Sequence, residues 1–208
     1  MRPNEEVTLG RNATFSGTRR SRSSGFSMVE LAVSMTVLLI LTAIAIPSLM
    51  RSFRTYQLND AATRLSDILK FTRFEAVRRN TPVTMRINNP SGTDWNVWTD
   101  SNGDSVEDAT EKQIFISGFV SLLPASGLPS PTTITATLGG TGALTTVSGA
   151  AGFIRFDSRG AVSPLAADVL YLGSTTNPEF GYRAVVLLPS GAVQIWTAPA
   201  GGTWQRIG

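Results

Sequence analysis

One run of 20 residues, 31–50, carries no charged side chain and constrains this 208-residue chain more than any other feature. At about 1.5 Å of rise per helical residue it extends about 30 Å, the depth of a bilayer's hydrocarbon core. Its front edge is the stretch Gly25-Phe26-Ser27-Met28-Val29-Glu30 and its far edge is Arg51. Pro47, close to the far end, removes one helix hydrogen bond and predicts a kink. A carboxylate at membrane depth costs about 2.5–3.5 kcal/mol or more when unpaired, so Glu30 is a candidate functional group.

The residues ahead of the run set its orientation. Positions 1–25 hold Arg2, Arg11, Arg19, Arg20 and Arg22 against Glu5 and Glu6, a net charge of +3. Cationic flanks stay on the cytoplasmic side, which sends the C-terminal bulk across the membrane. Small Gly25 followed by aromatic Phe26 marks a candidate cleavage junction, and Glu30 is then the fifth residue of the shortened chain. This junction, the carboxylate and the Pro-containing apolar helix resemble the class III signal of type IV pilins and pseudopilins. Two competing readings are an ordinary secretory signal cut near Ala43-Ile44-Ala45 and a plain single-span anchor. Arg19-Arg20 lacks the hydrophobic residues that a twin-arginine signal needs after it.

Removing the leader changes the charge argument. The full chain has 18 basic and 15 acidic residues, and subtracting the leader's five and two leaves 13 and 13. The basic isoelectric point therefore belongs to the leader and does not argue for nucleic acid as a partner. There is no His and no Cys, which excludes imidazole general acid–base catalysis, Cys or Ser–His nucleophiles, disulfides and ordinary zinc sites. Lys70 and Lys112 are the only lysines and no Ser–Lys motif surrounds them. The chain reads as a non-enzyme.

The helical pattern continues past the apolar run. No Gly or Pro occurs from 52 to 79, and Leu58, Ala61, Ala62, Leu65, Ile68, Leu69 and Ala76 recur at three- and four-residue spacing. Asn80-Thr81-Pro82 ends the pattern. One helix of about 50 residues is expected, half suited to lipid and half amphipathic. Strand-like alternation follows at Val83-Thr84-Met85-Arg86-Ile87, Trp95-Asn96-Val97-Trp98, Ile114-Phe115-Ile116, Phe153-Ile154-Arg155-Phe156 and 169–172. A C-terminal hairpin is expected over 182–197, turning at Pro189-Ser190-Gly191. From 113 to 154 the only punctuation is Gly, Ser, Thr, Pro and Ala without charge, and a strand is expected at 132–138. The predicted fold class is α+β: a long helix packed on antiparallel sheets. The predicted organisation is a cleaved leader 1–25, a membrane half 26–51 and a globular domain 52–208.

One loop has candidate metal donors. Asp100, Asn102, Asp104, Asp108 and Glu111 fall at positions 1, 3, 5, 9 and 12 of an EF-hand-like register, with the Val106 carbonyl at 7. Ser105 stands where that loop requires Gly, and no flanking helices are expected. The same residues also make an ordinary strand-to-strand turn. Calcium binding and a plain turn are both open at this point.

The end of the helix, Leu69-Lys70-Phe71-Thr72-Arg73-Phe74-Glu75-Ala76-Val77-Arg78-Arg79-Asn80-Thr81-Pro82-Val83, is followed in order by Trp95 and the Asp100–Asp104 loop, Phe156-Asp157-Ser158-Arg159-Gly160, Arg183-Ala184-Val185-Val186 and Ser190-Gly191. This order resembles the GspH/FimT family of minor pseudopilins and minor pilins and covers most of the chain after the leader. The family's last turn often continues Gly-Arg with further basic residues. Here it reads Gly191-Ala192-Val193, which argues against DNA binding through that hairpin. The resemblance implies cleavage between Gly25 and Phe26 by a prepilin peptidase, N-methylation of Phe26 and assembly through Glu30 with other pseudopilins or pilins. It places the chain in the bacterial inner membrane with a cytoplasmic N-terminus and a periplasmic domain. Three functions stay open: a minor pseudopilin of type II secretion, a minor pilin of a type IV pilus, and an anchored or secreted β-rich binding domain that forms no filament.

Overall fold

The computed structural model describes residues 25–90, 92, 94–138, 144–146 and 151–207. The leader lies outside the described residues except for Gly25, as does the centre of the uncharged 113–154 segment.

Helix α1 runs unbroken from Met28 to Arg79, 52 residues, as the spacing predicts. Ten strands and one short helix follow: β1 (Val83–Asn88), β2 (Trp95–Asp100), β3 (Gln113–Ile116), β4 (Ser121–Leu123), α2 (Thr132–Thr137), β5 (Leu144–Thr146), β6 (Ala151–Phe156), β7 (Ala167–Gly173), β8 (Tyr182–Leu187), β9 (Val193–Ala198) and β10 (Gln205–Arg206). A 3-10 turn, Pro178–Phe180, precedes β8. The chain divides into two compact units, with the boundary between Ile44 and Ala45.

Within the second unit the amphipathic stripe of α1 is the centre of the core. Leu58, Leu65, Ile68, Leu69 and Ala76 are buried together with residues of both sheets. The first sheet has the order β3-β2-β1-β6 and the second β10-β9-β8-β7-β4. Strand periodicity sorts the faces. Val83, Met85 and Ile87 of β1 join the helix core, as do Leu170 and Leu172 of β7 and Val185 and Leu187 of β8. The alternate residues Val169, Tyr171, Ala184 and Val186 enter a second cluster with Ile134, Trp196 and Trp204. The second sheet is thus a middle layer, apolar on both faces. That is why β7 and β8 read as nearly continuous apolar runs and are buried along their whole length.

One expectation needs correction. The segment expected as a strand at 132–138 is helix α2. Its β-branched Thr-Thr-Ile-Thr favours a strand locally, but Ile134 is the one buried residue and anchors the turn in the second cluster. Pro131 starts the helix, with its carbonyl accepting from Thr135 N at 2.9 Å, and Trp204 Nε1 donates to Pro129 O at 3.0 Å just upstream. Tertiary packing overrides propensity here. The sheets are antiparallel as expected, and among the described residues β5 alone pairs in parallel, with β7.

Candidate functional site

Gly25, Phe26 and Ser27 have no regular structure, and the helix begins at Met28. Phe26 is 77% exposed, and a Cβ added at Gly25 would meet nothing within 4 Å. Among the described residues nothing covers this junction. Ser27 Oγ accepts the Glu30 N–H at 3.1 Å, and Ser27 O accepts Leu31 N at 3.0 Å. Ser27 is therefore the N-cap and Glu30 the third helical residue, the spacing of a capping box. The Ser-x-x-Glu pattern was visible in the chain and gives Glu30 a local role: its charge lies at the positive end of the helix dipole.

Every residue from 25 to 53 is exposed. Two hydroxyls inside the apolar run bond within the helix: Thr36 Oγ1 donates to Ala32 O at 2.8 Å and Thr42 Oγ1 to Leu38 O at 2.9 Å. No polar side chain of these two threonines needs water, as a span requires. The helix continues through Pro47, and Ala43-Ile44-Ala45 lies inside it rather than in an extended, cleavable segment. α1 is long and apolar enough to cross a membrane.

The other end of α1 is built differently. Glu75 is buried; its carboxylate accepts from Arg78 at 3.0 and 2.7 Å and from Arg79 at 2.8 Å. The hydrogen bonds from Arg78 lead the effects that hold its pKa below the usual carboxylate range. Arg79 also donates to Ser101 O at 2.9 Å, and Thr72 shares a 2.8 Å hydrogen bond with Thr99. One turn earlier, Arg73 Nε donates to Gly160 O at 3.0 Å. Gly160 and Gly191 both have positive φ, 81° and 79°. A Cβ at Gly191 would sit 2.1 Å from Gly160 O and 2.8 Å from Arg73 Nε. The Asp157–Gly160 and Ser190–Gly191 turns thus converge on Arg73, a relation between distant motifs that no local pattern signals. Farther up the helix Asn59 Oδ1 accepts from the buried Arg183 Nε at 2.7 Å. Burial pushes the Arg183 pKa down.

The acidic loop joins β2 to β3. Asp100 pairs with Arg86 at 2.6 Å and accepts from Gly103 N at 2.7 Å. Asn102 and Asp104 bond each other. Asp108 accepts from the Thr110 hydroxyl and N–H, which holds its pKa low. Glu111 is buried: one oxygen accepts from Ser101 N at 2.7 Å, the other has no partner, and burial raises its pKa. Ser105 adopts the positive φ (68°) that a glycine would take easily. Among the described residues no group of three or more His, Cys, Asp or Glu is placed to hold a metal ion. The loop's carboxylates and amide bond to donors of the loop itself and to Arg86.

The capped N-terminus, the uncharged half-helix and the helix-centred α+β domain together define a pilin-like fold. Residues 20–46 match the prokaryotic N-terminal methylation motif. Residues 61–205 match the family described as Type II transport protein GspH, and the chain belongs to that family. Two crystal structures of the type IV minor pilin FimU of Pseudomonas aeruginosa PAO1 are similar to it. One is 14% identical with a TM-score of 0.45, covering 73% of this chain and 93% of FimU. The other is 17% identical with a TM-score of 0.44, covering 72% and 97%. The comparison with curated proteins gave no match.

Proposed function

We propose that this chain is a minor pseudopilin, a structural subunit of a type II secretion pseudopilus. The family is one of structural pilin-like proteins rather than enzymes. The observation that carries the reading is the N-terminal constellation: an exposed, unstructured Gly25–Phe26 junction immediately before a capped helix with Glu30 in its first turn. A prepilin peptidase removes 1–25 from the cytoplasmic side, and the new amine of Phe26 is methylated. Residues 26–51 hold the chain in the inner membrane and 52–208 form the periplasmic domain. Glu30 then pairs with the Phe26 amine of a neighbouring subunit, so two charges that are costly at membrane depth neutralise each other. The amine exists only after cleavage, which couples processing to assembly. Pro47 loosens the helix at one hydrogen bond. Neither calcium nor nucleic acid is needed for this role.

The test is the mature N-terminus, read by mass spectrometry on protein extracted from membranes containing a prepilin peptidase. N-methylated Phe26 supports the reading. A start at Ile46, or an intact leader, leaves an anchored or secreted β domain and removes the filament. Deleting the gene then separates the two filament systems: lost secretion with pili intact supports the pseudopilus, and lost pili with normal secretion assigns the chain to a type IV pilus.

A further inference from the structure

Arg54 lies with its guanidinium 4.5 Å from the centre of the Phe119 ring. Phe119 in turn meets Phe180 edge-on, with ring centroids 5.3 Å apart. This stack levels two distant loops, 117–120 and the Pro178–Phe180 turn, with one turn of α1. That turn begins at Arg51, where the uncharged run ends. Around it Phe53 is 54% and Tyr56 67% exposed. They line a groove of about 200 Å³ with Gln57, Phe115 and Phe119.

A bilayer's hydrocarbon core is about 30 Å thick and about 40–45 Å with its headgroups, which leaves about 5–7 Å of headgroup on each side. A run of 20 residues fills the core and puts Arg51 at its edge. Arg54 stands three residues on, about 4.5 Å higher at 1.5 Å per residue, inside the headgroup layer. Phe119 packs on Arg54 and Phe180 on Phe119, which brings both loops to this end of the domain. Aromatic rings and arginines whose stems lie along apolar surface are the side chains that favour this zone. Arg51 is exposed, and the half-buried Arg54 donates to Gln57 Oε1 at 3.1 Å beside the Phe119 ring. The acid here, Glu179, is exposed and accepts from Asn177 Nδ2 at 3.2 Å, and Asp60, one turn beyond Tyr56, is paired with Arg64 at 2.9 Å.

We propose that this end of the globular domain is a phospholipid-binding surface: Arg51 and Arg54 bind headgroup phosphates while Phe53, Tyr56, Phe119 and Phe180 seat the 117–120 and Pro178–Phe180 loops in the headgroup layer. The inference rests on the membrane-span reading above. The surface sets how deep the subunit sits before assembly, and it must be released when the subunit leaves the bilayer.

The chain has no cysteine, so single-cysteine spin labels report one position each. The full chain is placed in vesicles of phosphatidylethanolamine and phosphatidylglycerol, with labels at Ser117→Cys, Glu179→Cys, Val106→Cys and Leu38→Cys in separate samples. Collision with oxygen and with a water-soluble nickel chelate gives the depth of each label. The expected result is hydrocarbon depth at 38, headgroup depth at 117 and 179, and bulk water at 106. Replacing Arg51 and Arg54 together with Gln shifts 117 and 179 toward water and leaves 38 unchanged. Vesicles of phosphatidylcholine alone give a smaller shift between wild type and that double variant. Labels at 117 and 179 as chelate-accessible as 106, with 38 still in hydrocarbon, overturn the surface but keep the span. Chelate access at 38 overturns both.

Discussion

The two ends of α1 each carry one glutamate, and they treat it in opposite ways. Glu75 is buried and closed off by two arginines of its own helix. Glu30 is exposed, and among the described residues its carboxylate has no partner, its backbone N–H alone donating to Ser27 Oγ. The first carboxylate is spent on folding, since its partners lie three and four residues away and fix the last helical turn. The second is left for something outside the chain. The helix dipole favours it by only about 0.3–1 kcal/mol, which does not offset the cost of a charge at membrane depth. An acid that folding uses only through the helix dipole is the better candidate for assembly.

The contrast breaks most sharply at Glu30. Glu30→Leu is expected to leave the protein in the membrane and abolish its incorporation into filaments; cross-linking to neighbouring subunits in membranes reads this, and normal incorporation would remove the pairing idea. Gly191→Ala is the next largest effect. It places a methyl against the Gly160 carbonyl at a positive φ and is expected to cost about 3 kcal/mol or more, seen as a lower denaturant midpoint. Glu75→Gln keeps the shape but loses the charge-assisted bonds, and the melting temperature should fall by about 3 °C at pH 7. A Glu75 pKa held low means that this contribution is present above the ordinary carboxylate pKa and is lost as pH falls through the folded value. The variant and wild type should therefore converge in acid.

Glu111 sharpens the comparison from the other side. Burial raises its pKa, so the folded state holds a proton that the unfolded chain releases. Its contribution weakens as pH rises from the unfolded toward the folded value. Glu111→Gln retains the acceptor for Ser101 N and is expected to raise the melting temperature slightly near pH 7, with no gain at pH 4. The smallest effect is at the same loop: millimolar Ca²⁺ should leave the melting temperature unmoved, and a clear rise would restore a calcium site there.

Much of this architecture is readable from spacing alone. The 3.6-residue stripe from Leu58 to Ala76 and the Pro82 stop locate α1, two-residue alternation finds β1 and β2, and short apolar runs between turn residues find β3, β6, β7, β8 and β9. Local pattern fails where a single distant contact decides. Thr132–Thr137 has strand-forming residues, yet one buried isoleucine and the Trp204 side chain make it a helix. β5 pairs in parallel with a strand more than twenty residues on, and β10 is two residues long. At the site, Gly25, Phe26 and Glu30 stand out because charge and size change there abruptly. The Arg73–Gly160–Gly191 convergence does not, because each glycine alone looks like any turn.

Three of the side-chain hydrogen bonds that fasten α1 to the rest of its unit are Asn59 to Arg183, Thr72 to Thr99 and Arg73 to Gly160. The span from Asn59 to Arg73 is about 21 Å of helix. A pull along the helix therefore strains all three fastenings at once. They share the load like rivets along a seam, and none can be peeled open ahead of the others.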